Sequence, residues 1–195
     1  MDQNKCYEMD FSYYQEEAIK TAIYTNRGNN LIYPMMGLIG EGGELAGKIA
    51  KMLRDDDSKM TPERREAIRG EIGDMLWFVA NICAELKLDL GNLFLLASNA
   101  HKNYYGNHDI YQLILKLQQQ ISHMCILVEQ NLYESTDNKS KILDPLGTDI
   151  TMLLILIDEI CVACALDMSR AAQCNLEKLR SRQERGVLKG DGDNR

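Results

Sequence analysis

An all-α fold is the class this sequence predicts, and three observations predict it. The 195 residues are 45% hydrophobic, rich in Leu, Ile, Met and Ala, with 7% aromatics and three prolines, a composition that favours helix. Apolar residues recur at three-and-four spacing in seven stretches, and no stretch between them shows the alternation of a half-buried strand. Helix start signals are explicit: "TPER" and "DP" each place an N-cap residue directly before a proline. The length suits a single body with a sizeable core.

The elements follow in order. A first helix is expected over about 12–24, ended by the turn formers of "TNRGNN". A second runs from near Pro34 to Arg54, and "DDDSKM" is a polar loop. Thr61 as N-cap and Pro62 as first helical residue open a third, reaching Lys87, whose Ile72, Met75, Leu76, Val79, Cys83 and Leu86 form a buried stripe. A shorter helix over 89–103 is followed by the break "YYGNH", and a fifth over 109–133 by the polar loop "ESTDNKSK". Asp144 and Pro145 repeat the cap arrangement and open a sixth, to Ala165. The seventh spans 167–183 and leads into "RGVLKGDGDNR", read as a flexible Gly-rich tail.

The formal charge of -7 argues against general binding to nucleic acid or anionic membrane, which requires clustered basic surface. The six cysteines sit mostly within apolar helical pattern, and no signal peptide is recognised, so buried thiols in a cytoplasmic protein are expected. Cys161 and Cys164 form a lone CxxC with no second pair or nearby histidine for a zinc site. The greasiest segment, "MLLILIDEICVACAL", is too short to span a bilayer and carries Asp158 and Glu159. His101, His108 and His123 show no mutual metal-ligand spacing and are read as structural.

Shifting the chain by 78 residues sets "LIYPMMGLIGEGGEL" beside "DIYQLILKLQQQISH" and "ICAELKLDL" beside "ICVACALDM". The collinear matches suggest a tandem repeat. Residues 1–105 would form one half, 106–183 a degenerate second half ending in the last helix, and 184–195 the tail, all packed as one body. Under the shift Glu41, Glu44, Glu71 and Asp74 fall on Gln119, Ser122, Asp149 and Met152, so an acidic site would exist in the first half alone.

Those four acids are the constellation that carries chemistry. With ~100° of turn per residue, Glu41, Glu44, Lys48 and Lys51 lie within about 80° of one another, beside an apolar face of Leu45, Ile49 and Leu53. Glu71 and Asp74 form a second carboxylate pair, with Asn81 and Glu85 near the direction of Asp74. If the two helices pack antiparallel across "DDDSKM", four carboxylates converge. Such a cluster suits Mg²⁺, a hard ion that takes oxygen ligands and leaves positions for water and phosphate. Lys48 and Lys51, one and two turns on, would meet a metal-bound polyphosphate. The plainer alternative is a solvated helix face braced by Glu44 and Lys48.

E-x-x-E at Glu41/Glu44, 26 residues, then E-x-x-D at Glu71/Asp74 resembles the signature of the MazG-like all-α nucleoside triphosphate pyrophosphohydrolases, relatives of dimeric dUTPases, dCTP pyrophosphatases and phosphoribosyl-ATP pyrophosphohydrolase. "NRGNNLIYP" leading into "GLIGEGGELAGK", then "EIGDMLWFVA", and a C-terminal "NLEKLRSRQERGVLKGDGDNR" extend the likeness over residues 11–99 and 166–195. The departure is the intervening stretch, where a simple member would pass almost directly to the last helix.

The resemblance implies a helical bundle that cleaves a (d)NTP between the α- and β-phosphates, giving (d)NMP and pyrophosphate, in a nucleotide house-cleaning role. Glu41, Glu44, Glu71 and Asp74 would hold Mg²⁺, with Mn²⁺ as a substitute and two ions during turnover, and Glu41 or Glu44 would activate water. Lys48 and Lys51 would steady the β- and γ-phosphates. Asn81 is a candidate for sugar or base, reading equally as a capped or solvated side chain, and Trp77 is a candidate for stacking on a base, with core packing the preferred reading. Asn175, Lys178, Arg182 and Arg185 are candidates for phosphate contacts from the last helix, against ordinary C-terminal helix charge. A homodimer is expected, although the second half could serve as an internal partner. The alternative is a catalytically weak nucleotide-binding or regulatory helical subunit.

Overall fold

The protein, described here from a computed structural model covering residues 8–101, 109–132 and 139–188, is all-α, with seven helices and no strand among those residues. They are α1 (Phe11–Lys20), α2 (Ile32–Asp55), α3 (Pro62–Leu86), α4 (Leu90–His101), α5 (Ile110–Leu132), α6 (Lys139–Ala163) and α7 (Met168–Glu184). The break "YYGNH" and the tail beyond 188 lie outside the described residues.

Local chemistry sets most of the boundaries. Asp10, Thr61 and Asp167 accept from backbone amides two or three residues on and cap α1, α3 and α7. Asp89 does the same for α4, through the amide of Asn92 at 2.8 Å. Two expectations needed correction. The first helix ends at Lys20 rather than Tyr24, because the indole N–H of Trp77 donates to the Ala18 carbonyl and to the Thr21 hydroxyl, tying the helix end to α3. The sixth begins at Lys139, so Asp144 and Pro145 lie inside it rather than opening it. A proline there forfeits one helical hydrogen bond, but Ile142 and Leu146, one turn apart, are both buried and hold that turn on the core.

Two antiparallel hairpins, α2 with α3 and α5 with α6, form the body, and α5 lies along α2. The remaining long helices cross over. The α7 helix packs on α3 and α1, and α4 packs on α6 and α1. A continuous core joins them, from Phe11, Tyr14 and Leu38 through Met75, Leu76 and Leu117 to Leu153, Ile157 and Leu176.

The 78-residue offset noted in the sequence recurs in the backbone. Lys87 and Ala165 both adopt left-handed φ, 57° and 51°. Each is followed by a leucine whose amide closes back on a cysteine carbonyl, Leu88 on Cys83 at 2.8 Å and Leu166 on Cys161 at 2.7 Å. Cys83, Cys161 and Cys164 are buried free thiols, as the apolar pattern implied.

Candidate functional site

The site forms where α2 and α3 run side by side. Leu38, Leu45, Ile49 and Met52 bury the inner face of α2, which turns Glu41, Glu44 and Lys48 toward the seam with α3. Behind Glu41, α5 presses so close that a Cβ at Gly42 would lie 2.6 Å from Ile121 Cδ1, and Gln118 donates to the Gly42 carbonyl at 2.6 Å. Glycine at this position lets the helix carrying the acids be backed without a gap.

Glu41, Glu44 and Glu71 converge, each offering one carboxylate oxygen within 4.8 Å of the others. Glu71 is buried, Glu41 half-buried and Glu44 exposed, so the cluster opens to solvent on the Glu44 side. Burial, and then the negative charges of Asp74, Glu71 and Glu44, push the Glu41 carboxyl up to about 8. Burial raises Glu71 as well, with Glu44 and Asp74 adding to the effect and Lys48 opposing it. The ammonium of Lys48 stands 3.0 Å from Glu71 Oε1.

Asp74 sits at the edge of this group and is held by α7. Lys178 Nζ lies 2.5 Å from both of its oxygens, and Asn175 Nδ2 donates to Oδ1 at 2.8 Å. The Tyr14 hydroxyl, buried in α1, donates to Asn175 Oδ1 at 3.0 Å and fixes the amide. Burial, then the charge of Asp74, raises the Tyr14 phenol well above its ordinary value, so it stays a donor. Gly73 makes the approach of α7 possible: a Cβ there would be 3.0 Å from Asn175 Cβ and 3.1 Å from the Ala171 carbonyl oxygen. Arg180 further seats α7 on α1, bonding Tyr13 and Glu17 at 3.0 and 2.9 Å.

Other candidates stand apart from the carboxylates. Trp77 braces α3 against α1 and packs edge-on against Phe78. Asn81 is buried, donating to the Trp77 carbonyl at 2.8 Å and accepting from Tyr24 at 3.4 Å. Lys51 is exposed on α2, Arg182 is buried on α7, and Arg185 is exposed at its C-cap, where its Nε donates to the Ser181 carbonyl. The roles of Tyr14 and Gly73 were missed, because Tyr14 reads only as a core position beside Phe11 and Ala18. Glu85 was noted without a role. It accepts from the Tyr24 hydroxyl and from the amides of Gly28 and Asn30, at 2.8, 2.9 and 2.7 Å, and so pins the loop before α2.

Fold and site together define a class: an all-α protein with a half-open carboxylate cluster on one helical hairpin and paired lysines at its margin. The chain is 40% identical over 90 residues to the Gene 37 protein of Mycobacterium phage L5, an alignment spanning 44% of this chain and 79% of that protein, and it belongs to the same family. No protein-family profile matches it. No solved structure matches it. Among the described residues no helix is long and apolar enough to cross a membrane.

Proposed function

We propose that this protein is a divalent-cation-dependent nucleoside triphosphate pyrophosphohydrolase, releasing (d)NMP and pyrophosphate by attack of water at the α-phosphorus. The observation that carries the reading is the convergence of Glu41, Glu44 and Glu71 from two rigid helices, with Lys48 at the margin. The donor set is all carboxylate oxygen, which fits Mg²⁺ or Mn²⁺. An ion about 2.1 Å from each oxygen needs its ligands roughly 3 to 4 Å apart, so the cluster requires only a small contraction to hold one.

Mg²⁺ bound there would polarise phosphoryl oxygens and lower the pKa of a bound water. This chain's own residues would do the rest. Glu41, half-buried between the other carboxylates, suits the acceptor of the proton from the attacking water once a bound cation has ionised it. Lys48 would leave Glu71 for the β- and γ-phosphates as the substrate enters, with Lys51 beyond it. Lys178 and Asn175 on α7 border the same seam, and Arg182 and Arg185 continue the positive charge along that helix.

A second reading, a nucleotide-binding regulator with little turnover, draws on the commitment of Asp74 to Lys178 and Asn175, which leaves three carboxylates in the cluster where the motif has four. Product analysis across a panel of (d)NTPs with Mg²⁺ separates the readings. Monophosphate and pyrophosphate, abolished in Glu44→Gln, support the enzyme; nucleoside diphosphate and phosphate exclude α–β cleavage; binding without turnover supports the regulator.

A further inference from the structure

We infer that Lys178 is a built-in counterion that withdraws Asp74 from the metal set, so that without nucleotide the site takes a single divalent cation, held by Glu41, Glu44 and Glu71. The inference rests on the carboxylate-cation reading above and concerns which residues of this chain share the charge.

The geometry separates the four acids into two groups. Both Asp74 oxygens are engaged by the Lys178 ammonium at 2.5 Å, and Oδ1 takes Asn175 as well. The arrangement is braced from behind: Asn175 is 3% exposed, its oxygen is fixed by Tyr14, and α7 is seated against Gly73. Asp74 is thus satisfied by fixed donors, and drawing it onto a cation would forfeit charge-assisted bonds from a partly buried carboxylate. Glu41, Glu44 and Glu71 face one another with a single lysine, Lys48, on Glu71.

Charge balance points the same way. With a cation bound all four carboxylates are ionised, Lys48 and Lys178 neutralise two, and the two remaining negative charges match that one divalent ion. A second ion in the empty site would leave an excess of positive charge beside two lysines. That excess is removed only when a polyphosphate arrives, and a nucleotide carries its own divalent ion. Lys178 is therefore a positioning residue: it acts through Asp74 and sets the order in which cations enter.

Mn²⁺ titration followed by electron paramagnetic resonance of the free ion, on the nucleotide-free full chain, tests this. Wild type is expected to bind one Mn²⁺ per chain, Lys178→Arg also one, and Lys178→Met two, with Asp74 released. Circular dichroism checks that each variant is folded, and Lys178→Arg separates loss of charge from loss of packing. Two ions on wild type, or one on folded Lys178→Met, overturns the inference while leaving the metal reading intact. No Mn²⁺ bound by wild type overturns both, and wild-type binding that survives Glu44→Gln places the ion elsewhere.

Discussion

Replacing Glu41 with Gln should stabilise the cation-free protein at alkaline pH while abolishing cation binding. Burial and the neighbouring charges of Asp74, Glu71 and Glu44 lift this carboxyl from 4.5 to about 8. An acid raised on folding favours the native state while protonated, so wild type loses stability as pH rises from about 4.5 through about 8. At about 1.4 kcal/mol per pKa unit the ceiling is roughly 5 kcal/mol. Partial exposure of Glu41 screens that, leaving roughly 2–3 kcal/mol. Urea unfolding in chelator at three pH values, about 5, 7 and 9, measures it. The Gln variant should match wild type at the lowest and exceed it by roughly 2–3 kcal/mol at the highest. Mg²⁺ at a hundredfold excess over Kd should close that gap, since only wild type gains about 2.7 kcal/mol. A gap independent of pH, or wild type the more stable at high pH in chelator, would refute the reasoning.

Gly73→Ala and Gly70→Ala on the same helix should differ in sign. Both gain helix propensity, but a methyl at 70 meets open space while one at 73 meets Asn175 and the Ala171 carbonyl. Denaturation should therefore rank Gly70→Ala above Gly73→Ala by about 1–3 kcal/mol, the usual cost of overpacking. Glu85→Ala removes the acceptor of three donors in the loop before α2. A loss of roughly 2–4 kcal/mol is expected, with faster hydrogen exchange at the Gly28 and Asn30 amides as the specific readout. Burial pushes the Cys83 thiol up to about 12 and Cys164 to about 11, and raises Cys161 as well. In the native protein at neutral pH these three should alkylate orders of magnitude more slowly than they do in denaturant, as mass spectrometry after brief labelling would show.

The helix count, most caps and the carboxylate stripe were legible because each depends on local rules. Thr61, Asp89 and Asp167 announce helix starts by side-chain chemistry within a turn, Glu41 and Glu44 share a face of α2 through helical spacing, and the short turn to α3 brings Glu71 to them. What failed was decided at a distance. The end of α1 depends on the Trp77 indole, 56 residues beyond Thr21. Pro145 looks like a helix start until Ile142 is seen to be core. The pairing of Asp74 with Lys178, 104 residues away, depends on which helix α7 chooses, and periodicity reports a buried face without naming its partner.

That choice also sets the two hairpins apart. Under the 78-residue offset, α4 and α7 are counterparts, and each leaves its own hairpin for the other: α7 lies on α3, α4 on α6. At the first crossing Asn175 and Lys178 reach Asp74. At the second, the equivalent places hold Ala97, Ala100 and Met152, so no carboxylate is present to be held. The acids of α2 and α3 likewise become Gln119, Ser122 and Asp149, and the Asp149 carboxylate is met by His123 at 2.8 Å. The second hairpin holds no such cluster at these positions, yet the first depends on it twice. Its α5 backs α2 through Gly42 and Ile121, and the turn after α6 delivers α7 to Gly73. With neutral Gln119 and Ser122 at these positions, α5 packs behind the helix that carries Glu41 and Glu44 without adding negative charge there.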